Sequence, residues 1–180
     1  IAEAYYQSIP DVILKQATAM LPATFHQVLK VFKDGSYYHL EPKERVMDIM
    51  PGQRVFTPSH ISSLKENEVF VFGSNLDGLH GGGAAAAAVR FFGAIWGQGV
   101  GMQGQCYAIP TMHGGVDVIK PYVDEFIVYA REHQDKFFYV TRIGCGIAGF
   151  KDEDMAPLFH DALDLSNVAL PKEFVDILLQ

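Results

Sequence analysis

The run from Val69 to Val89, VFVFGSNLDGLHGGGAAAAAV, constrains the fold of this chain more than any other feature. Val69 to Gly73 is a short continuous apolar stretch, which suits a strand buried on both faces. Gly83 to Phe92, led by five consecutive alanines, has strong helix propensity. Between them lies a turn rich in glycine, placed where α/β sheets bind ligands, beyond the carboxyl end of a strand. Glycine lets the backbone approach a ligand closely, and the first N–H groups of the following helix lack intrahelical partners and favour an anion. The bland alternative is that Gly81 to Gly83 only make a tight helix entry.

The remaining pattern extends this strand–helix alternation. Cys106 to Pro110 reads as a second strand, Val116 to Glu132 as an amphipathic helix, and Phe137 to Ile143 as the strongest buried strand. Asp152 to Leu165 reads as helical, Asn167 to Leu170 as a short strand, and Lys172 to Leu179 as a closing helix. Such alternation predicts an α/β fold with a mixed, largely parallel sheet and helices on both faces, a three-layer α/β/α arrangement. Ahead of it, apolar residues recur at helical spacing from Asp11 to Phe32, with Asp34-Gly35 as the stop. Gly35 to Gln53 reads as a connector with a turn of helix around Glu44 to Ile49. The expected division is an N-terminal helical extension and connector over 1–53 and a nucleotide-binding domain over 54–180.

A second glycine-rich turn follows the third strand: Arg142-Ile143-Gly144-Cys145-Gly146-Ile147-Ala148-Gly149-Phe150. If both turns end neighbouring parallel strands, they grip one diphosphate from opposite sides. Neither turn matches the dinucleotide-binding GxGxxG pattern or the P-loop. The candidate ligand-binding residues are Gly73, Ser74, Asn75, Gly81, Gly82, Gly83 and Ala84 in the first turn. In the second they are Arg142, Gly144, Cys145, Gly146, Ile147, Ala148, Gly149 and Phe150.

Composition narrows the partners. A formal charge of -7 opposes binding to a nucleic-acid duplex, which relies on a basic surface. A small anion held by backbone N–H groups remains compatible with it. No apolar run reaches the roughly 18 residues of a membrane-spanning helix, no signal peptide is visible, and the two cysteines, Cys106 and Cys145, sit in apolar or glycine-rich contexts; a soluble, cytoplasmic protein is expected. The histidines lack metal-ligand spacing, so neither a metal nor a cofactor is assigned.

The two turns together resemble those of macro domains. FGSNLDGLHGGGAAAAAV is similar to the family's first ligand loop, and TRIGCGIAGF resembles its phosphate-holding loop in the form found in terminal ADP-ribose glycohydrolase-like macro domains. Gly104 to Pro110 is similar to the family's middle strand, and the run from Thr57 to Phe150 also resembles uncharacterised microbial proteins with macro-like folds. The similarity extends over Arg54 to Leu179. It implies a ligand of the ADP-ribose kind, with Asn75 facing the distal ribose. The chain departs from the family at three places. Pro58-Ser59-His60-Ile61 stands where an adenine-binding Asp is usual, one asparagine replaces a pair, and Ala85 and Ala148 stand where hydrolytic members carry an acid.

Individual residues admit two readings each. His80 is either a general base or ribose ligand, or a turn residue bonding backbone. Asp77 either orients a water or closes an Asx turn. Arg142 pairs with phosphate or with a carboxylate at the strand end. Cys145 is a nucleophile or an inert thiol, and Phe150 stacks on a base or packs in the core. The leading expectation is a module that binds ADP-ribose or a related nucleotide. The alternatives are a hydrolase of ADP-ribosyl or related nucleotide bonds using His80 and Asp77, and an interaction protein with a vestigial cleft.

Overall fold

The computed structural model describes residues 54–180, together with the backbone of two strands nearer the N-terminus. The chain divides into two compact units, Ile1–Gln53 and Arg54–Gln180. In the first, β1 (Leu29–Asp34) and β2 (Tyr37–Pro42) form an antiparallel pair whose register runs from Leu29 opposite Pro42 to Asp34 opposite Tyr37. This corrects the helix expected to continue to Phe32 and the connector expected from Gly35. With Asp34 paired to Tyr37, the two residues between the strands are Gly-Ser in the sequence, a pair that suits a two-residue hairpin connection as well as a helix stop. The rest of the helix expected from Asp11, and the turn expected around Glu44 to Ile49, lie outside the described residues.

The second unit is an α/β fold around a five-stranded mixed sheet in the order β4-β5-β3-β6-β7. Its elements are β3 (Glu68–Ser74), α1 (Gly83–Phe92), β4 (Gly101–Gln103), β5 (Cys106–Pro110), α2 (Val116–Glu132) and β6 (Phe137–Val140). They are followed by α3 (Asp152–Met155), a 3₁₀ segment (Ala156–Ala162), β7 (Val168–Ala169) and α4 (Lys172–Leu178). β3, β5, β6 and β7 pair in parallel, and β4 runs antiparallel to β5.

β3 is the central strand, and its alternation explains why. Val69 and Val71 enter one core cluster with Ile119, Phe126 and Phe138, while Phe70 and Phe72 enter another with Ala88 and Phe92 of α1. Side chains two apart share a face, so α1 covers one face of this strand and α2 the other. Both faces are dry, as a continuous apolar run requires.

Two elements are shorter than their sequence patterns. β6 ends at Val140, although the strand expected from the sequence runs to Ile143. Thr141 sends both its N–H and its hydroxyl to the Val71 carbonyl, at 3.0 and 2.9 Å, and the Ile143 N–H turns back to the Thr141 carbonyl at 2.7 Å. The chain therefore leaves the sheet while β3 continues for three more residues. The helix expected over Asp152 to Leu165 is four α-helical residues followed by 3₁₀ turns. Pro157 lacks the N–H that would bond to Glu153. β4 has no counterpart in the sequence expectations; three residues are too short for a periodic signal.

Candidate functional site

A cleft of about 390 Å³ opens at the carboxyl ends of β3, β5 and β6, lined by Gly73–Asn75, Gly81–Ala85, Thr141–Gly144 and Gly146–Ala148, with Leu79, Thr111 and Met112. The early departure of β6 creates this space. The register sets Gly73 opposite Ile109 on β5, while beyond Val140 no β6 residue pairs with the end of β3. Here the lack of a side chain at Gly73 matters, because a Cβ would stand 3.3 Å from the Thr111 hydroxyl and 3.5 Å from the Gly144 nitrogen.

The first turn is closed by its own side chains. The Asn75 side-chain amide donates to the Leu79 carbonyl at 2.8 Å and its oxygen accepts the Leu79 N–H at 2.9 Å. His113 Nε2 accepts the Leu76 N–H at 2.9 Å. Gly78 and Gly99 hold this turn against the 95–100 segment: a Cβ on Gly78 would sit 2.3 Å from the Gln98 nitrogen, and one on Gly99 2.0 Å from the Asn75 carbonyl oxygen. Ser74 adds a hydroxyl hydrogen bond to the Gly99 carbonyl.

His80 is sealed inside that junction at 1 % exposure, 5.2 Å from the Phe72 ring and 6.4 Å from Trp96, centroid to centroid. Its Nε2 lies 3.0 Å from the Gln98 carbonyl. A carbonyl can only accept, so Nε2 carries a hydrogen, and Nδ1 has no protein partner among the described residues. His80 is absent from the cleft lining, and so is the exposed Asp77. Neither residue that the alternative hydrolase reading uses for acid–base chemistry thus lines the cleft, and the contacts that bury His80 also withdraw it from that space.

Beyond the first turn, α1 starts without a cap. Gly82 is its extended N-cap residue, no side chain bonds to the helix end, and the first turn holds no acidic residue. The N–H groups of Gly83, Ala84 and Ala85 find no protein acceptor among the described residues; the first helical bond is from Ala86 to Gly82. Across the cleft, the second turn is tied by Cys145 N–H to Arg142 carbonyl, Gly149 to Gly146 and Phe150 to Gly144, at 3.2, 3.0 and 3.0 Å. The N–H groups of Gly146, Ile147 and Ala148 are left without protein acceptors among the described residues. The two turns meet at their rims, where the Ile147 Cδ1 would stand 3.0 Å from a Cβ on Gly82.

Arg142 is the one ionisable residue among those lining the cleft. It is also ion-paired: Nε and Nη2 donate to the two carboxylate oxygens of Asp152 at 3.1 and 2.6 Å, and Glu173 lies 4.0 Å from Nε. The hydrogen bonds from Arg142 hold the Asp152 carboxyl below the ordinary carboxylate range. Cys145 lies outside the lining, half-buried; burial first, and the neighbouring Asp152 second, push its thiol up to about 12. Cys106 is buried, and both cysteines are free thiols. Phe150 packs against the core rather than lining the cleft, and Gly149 also stays outside it. Cys145, Gly149 and Phe150 are thus corrected as lining residues.

The structure brings the other expected residues of both turns together. It adds Leu79, Ala85, Thr111, Met112, Thr141 and Ile143. Thr111 carries a readable signal, since it directly follows the strand read over Cys106 to Pro110. Ala85 and Ala148, the two positions without an acid, both line the cleft. Among the described residues, no cluster of His, Cys, Asp and Glu is placed to hold a metal, and no helix is long and apolar enough to cross a membrane. The chain matches no family model, no curated protein and no solved structure.

Proposed function

We propose that the cleft binds a nucleotide through its phosphates, with ADP-ribose as the best-fitting candidate. Six backbone N–H groups without protein acceptors, three at the start of α1 and three in the second turn, carry this reading. The first N–H groups of a helix lack intrahelical partners, and a helix start lacking any capping group is suited to an anion. The separation of the triplets by one cleft suits a ligand with two linked phosphates. The cleft volume of about 390 Å³ falls in the range of small-molecule sites, roughly 300–1,000 Å³. The likeness of both turns to macro-domain loops selects ADP-ribose from the possible diphosphates.

Binding is favoured over cleavage. Hydrolysis of a glycosidic or phosphoester bond uses a general acid or base within hydrogen-bond reach of the reacting atoms. The lining offers Arg142 alone among ionisable groups, with alanine at residues 85 and 148.

Thermal unfolding in the presence of ADP-ribose, AMP, NAD and inorganic pyrophosphate tests the reading. ADP-ribose at about 100 times its Kd adds ~2.7 kcal/mol, which corresponds to a rise in Tm of about 5–10 °C for a chain of this size. No shift with any of the four at millimolar concentration would leave the vestigial-cleft reading in its place. Release of free ADP-ribose or ribose from ADP-ribosylated substrates at enzymatic rates would replace a binder with a hydrolase.

A further inference from the structure

We infer that Asp152 is a positioning residue for ligand binding: it takes the Nε–Nη2 edge of the Arg142 guanidinium and thereby presents the remaining N–H groups, on Nη1 and Nη2, to a phosphate oxygen in the cleft. This rests on the cleft being the anion site proposed above. Guanidinium has five N–H donors arranged in a plane, with two edges that can each meet an oxyanion through a pair of parallel hydrogen bonds. Asp152 occupies the Nε–Nη2 edge with both oxygens, at 3.1 and 2.6 Å. Both N–H groups of Nη1 and the second N–H of Nη2 are left without a protein acceptor among the described residues, although Arg142 lines the cleft and its side chain is 52 % exposed.

An arginine this exposed would otherwise sample many rotamers, and ordering it on binding would lower affinity. Asp152 is itself held. It is the first residue of α3, and its side chain is only 19 % exposed. The ion pair therefore connects a fixed helix start to the cleft wall that faces the α1 N-terminus. Backbone N–H groups and one oriented guanidinium then approach the ligand phosphates from both turns.

The chemistry gives the inference an unusual sign. On charge alone, removing a carboxylate beside an anion site tightens anion binding. Removing a carboxylate that orients the only lining cation weakens it. Glu173, 4.0 Å from Arg142 Nε, supplies the control, because it carries the same charge but holds neither Nη1 nor Nη2.

The test is calorimetric titration of the full chain with ADP-ribose and with inorganic pyrophosphate, alongside thermal melts that verify folding. Arg142→Ala should weaken binding of both probes about 10- to 100-fold, the loss expected for charge-assisted hydrogen bonds. Asp152→Ala should weaken it by roughly 2- to 10-fold through lost orientation, whereas Glu173→Gln should leave it unchanged or tighter. Asp152→Asn keeps the shape of the side chain should the alanine variant fail to fold, and it should also weaken binding. In an Arg142→Ala background, Asp152→Ala or Asp152→Asn should produce no further loss. Binding by the parent together with equal or tighter binding by the Asp152 variants would overturn this inference while leaving the proposed function standing. A further loss in the double variants, equal to that in the single ones, would also overturn it by assigning Asp152 a merely structural part. Failure of the parent to bind either probe would overturn the proposed function, and this inference with it.

Discussion

Gly82→Val should separate binding from folding. Gly82 has φ -151° and ψ 166°, an extended conformation open to any residue. A Cβ there would meet only the Ile147 Cδ1, at 3.0 Å, and Ile147 is 75 % exposed, so its side chain can rotate away. Replacing glycine where the backbone is compatible gains about 0.4–1 kcal/mol by restricting the unfolded chain. Losing a preferred N-cap residue costs about as much, and the net effect on stability should be within ~1 kcal/mol. The ligand experiences something different. The valine methyls would stand at the entrance to the Gly83, Ala84 and Ala85 N–H groups. Each hydrogen bond to a charged partner contributes about 1.5–3 kcal/mol, so exclusion from two of them predicts a loss of ~3 kcal/mol or more. That is a Kd at least ~100-fold higher. Calorimetric titration with ADP-ribose, paired with thermal unfolding of the same samples, reads both quantities. A variant that binds like the parent while melting like the parent would refute the argument that the start of α1 holds the phosphates.

Three further outcomes follow from the site geometry. Gly144 has φ +80° and its added Cβ would lie 2.9 Å from the sulfur of the fully buried Met155, so Gly144→Ala should lose about 1–3 kcal/mol by chemical denaturation, and unchanged stability would contradict the strain argument. With its thiol pushed up to about 12, Cys145 should resist iodoacetamide at neutral pH, since the thiolate is the reactive form; rapid alkylation of the folded protein seen by mass spectrometry would contradict its assigned surroundings. Because the Asp152 carboxyl is held below its ordinary value by Arg142, the pair's contribution to stability is fully present above the unfolded-state pKa of about 4 and is lost as pH falls through the lower folded value. Asp152→Asn should accordingly flatten the acid limb of a stability–pH curve, and an unaltered limb would show that the pair contributes nothing there.

Periodicity was a reliable guide wherever an element is long or buried on both sides. α1 and α2 occupy Gly83–Phe92 and Val116–Glu132 because the apolar stripe and the flanking glycines Gly82, Gly93 and Gly115 coincide with the physical ends of the helices. The continuous apolar run of β3 identified a central strand. Residue order failed where tertiary contacts decide. Nothing local distinguishes the Thr141 that ends β6 from a strand residue, because its partner, the Val71 carbonyl, is seventy residues away. His80 is next to the triple glycine in sequence yet outside the cleft, because the close approaches at Gly78 and Gly99 join its turn to a loop twenty residues onward. The pairing of β1 with β2 was concealed by residues of β1 that also fit a helical stripe.

A cleft wall composed largely of glycine and alanine has a particular mutational character. In the proposed binding mode most of the recognising groups are main-chain N–H donors, which every substitution except proline leaves in place. An apolar side chain introduced at Gly82, Gly83, Gly146 or Ala148 thus leaves those donors in place and removes space. Such a site is expected to lose affinity by single steps readily and to change what it recognises with difficulty. New selectivity would enter most readily through Leu79, Met112, Ile147 and Arg142, lining positions that already carry a long side chain.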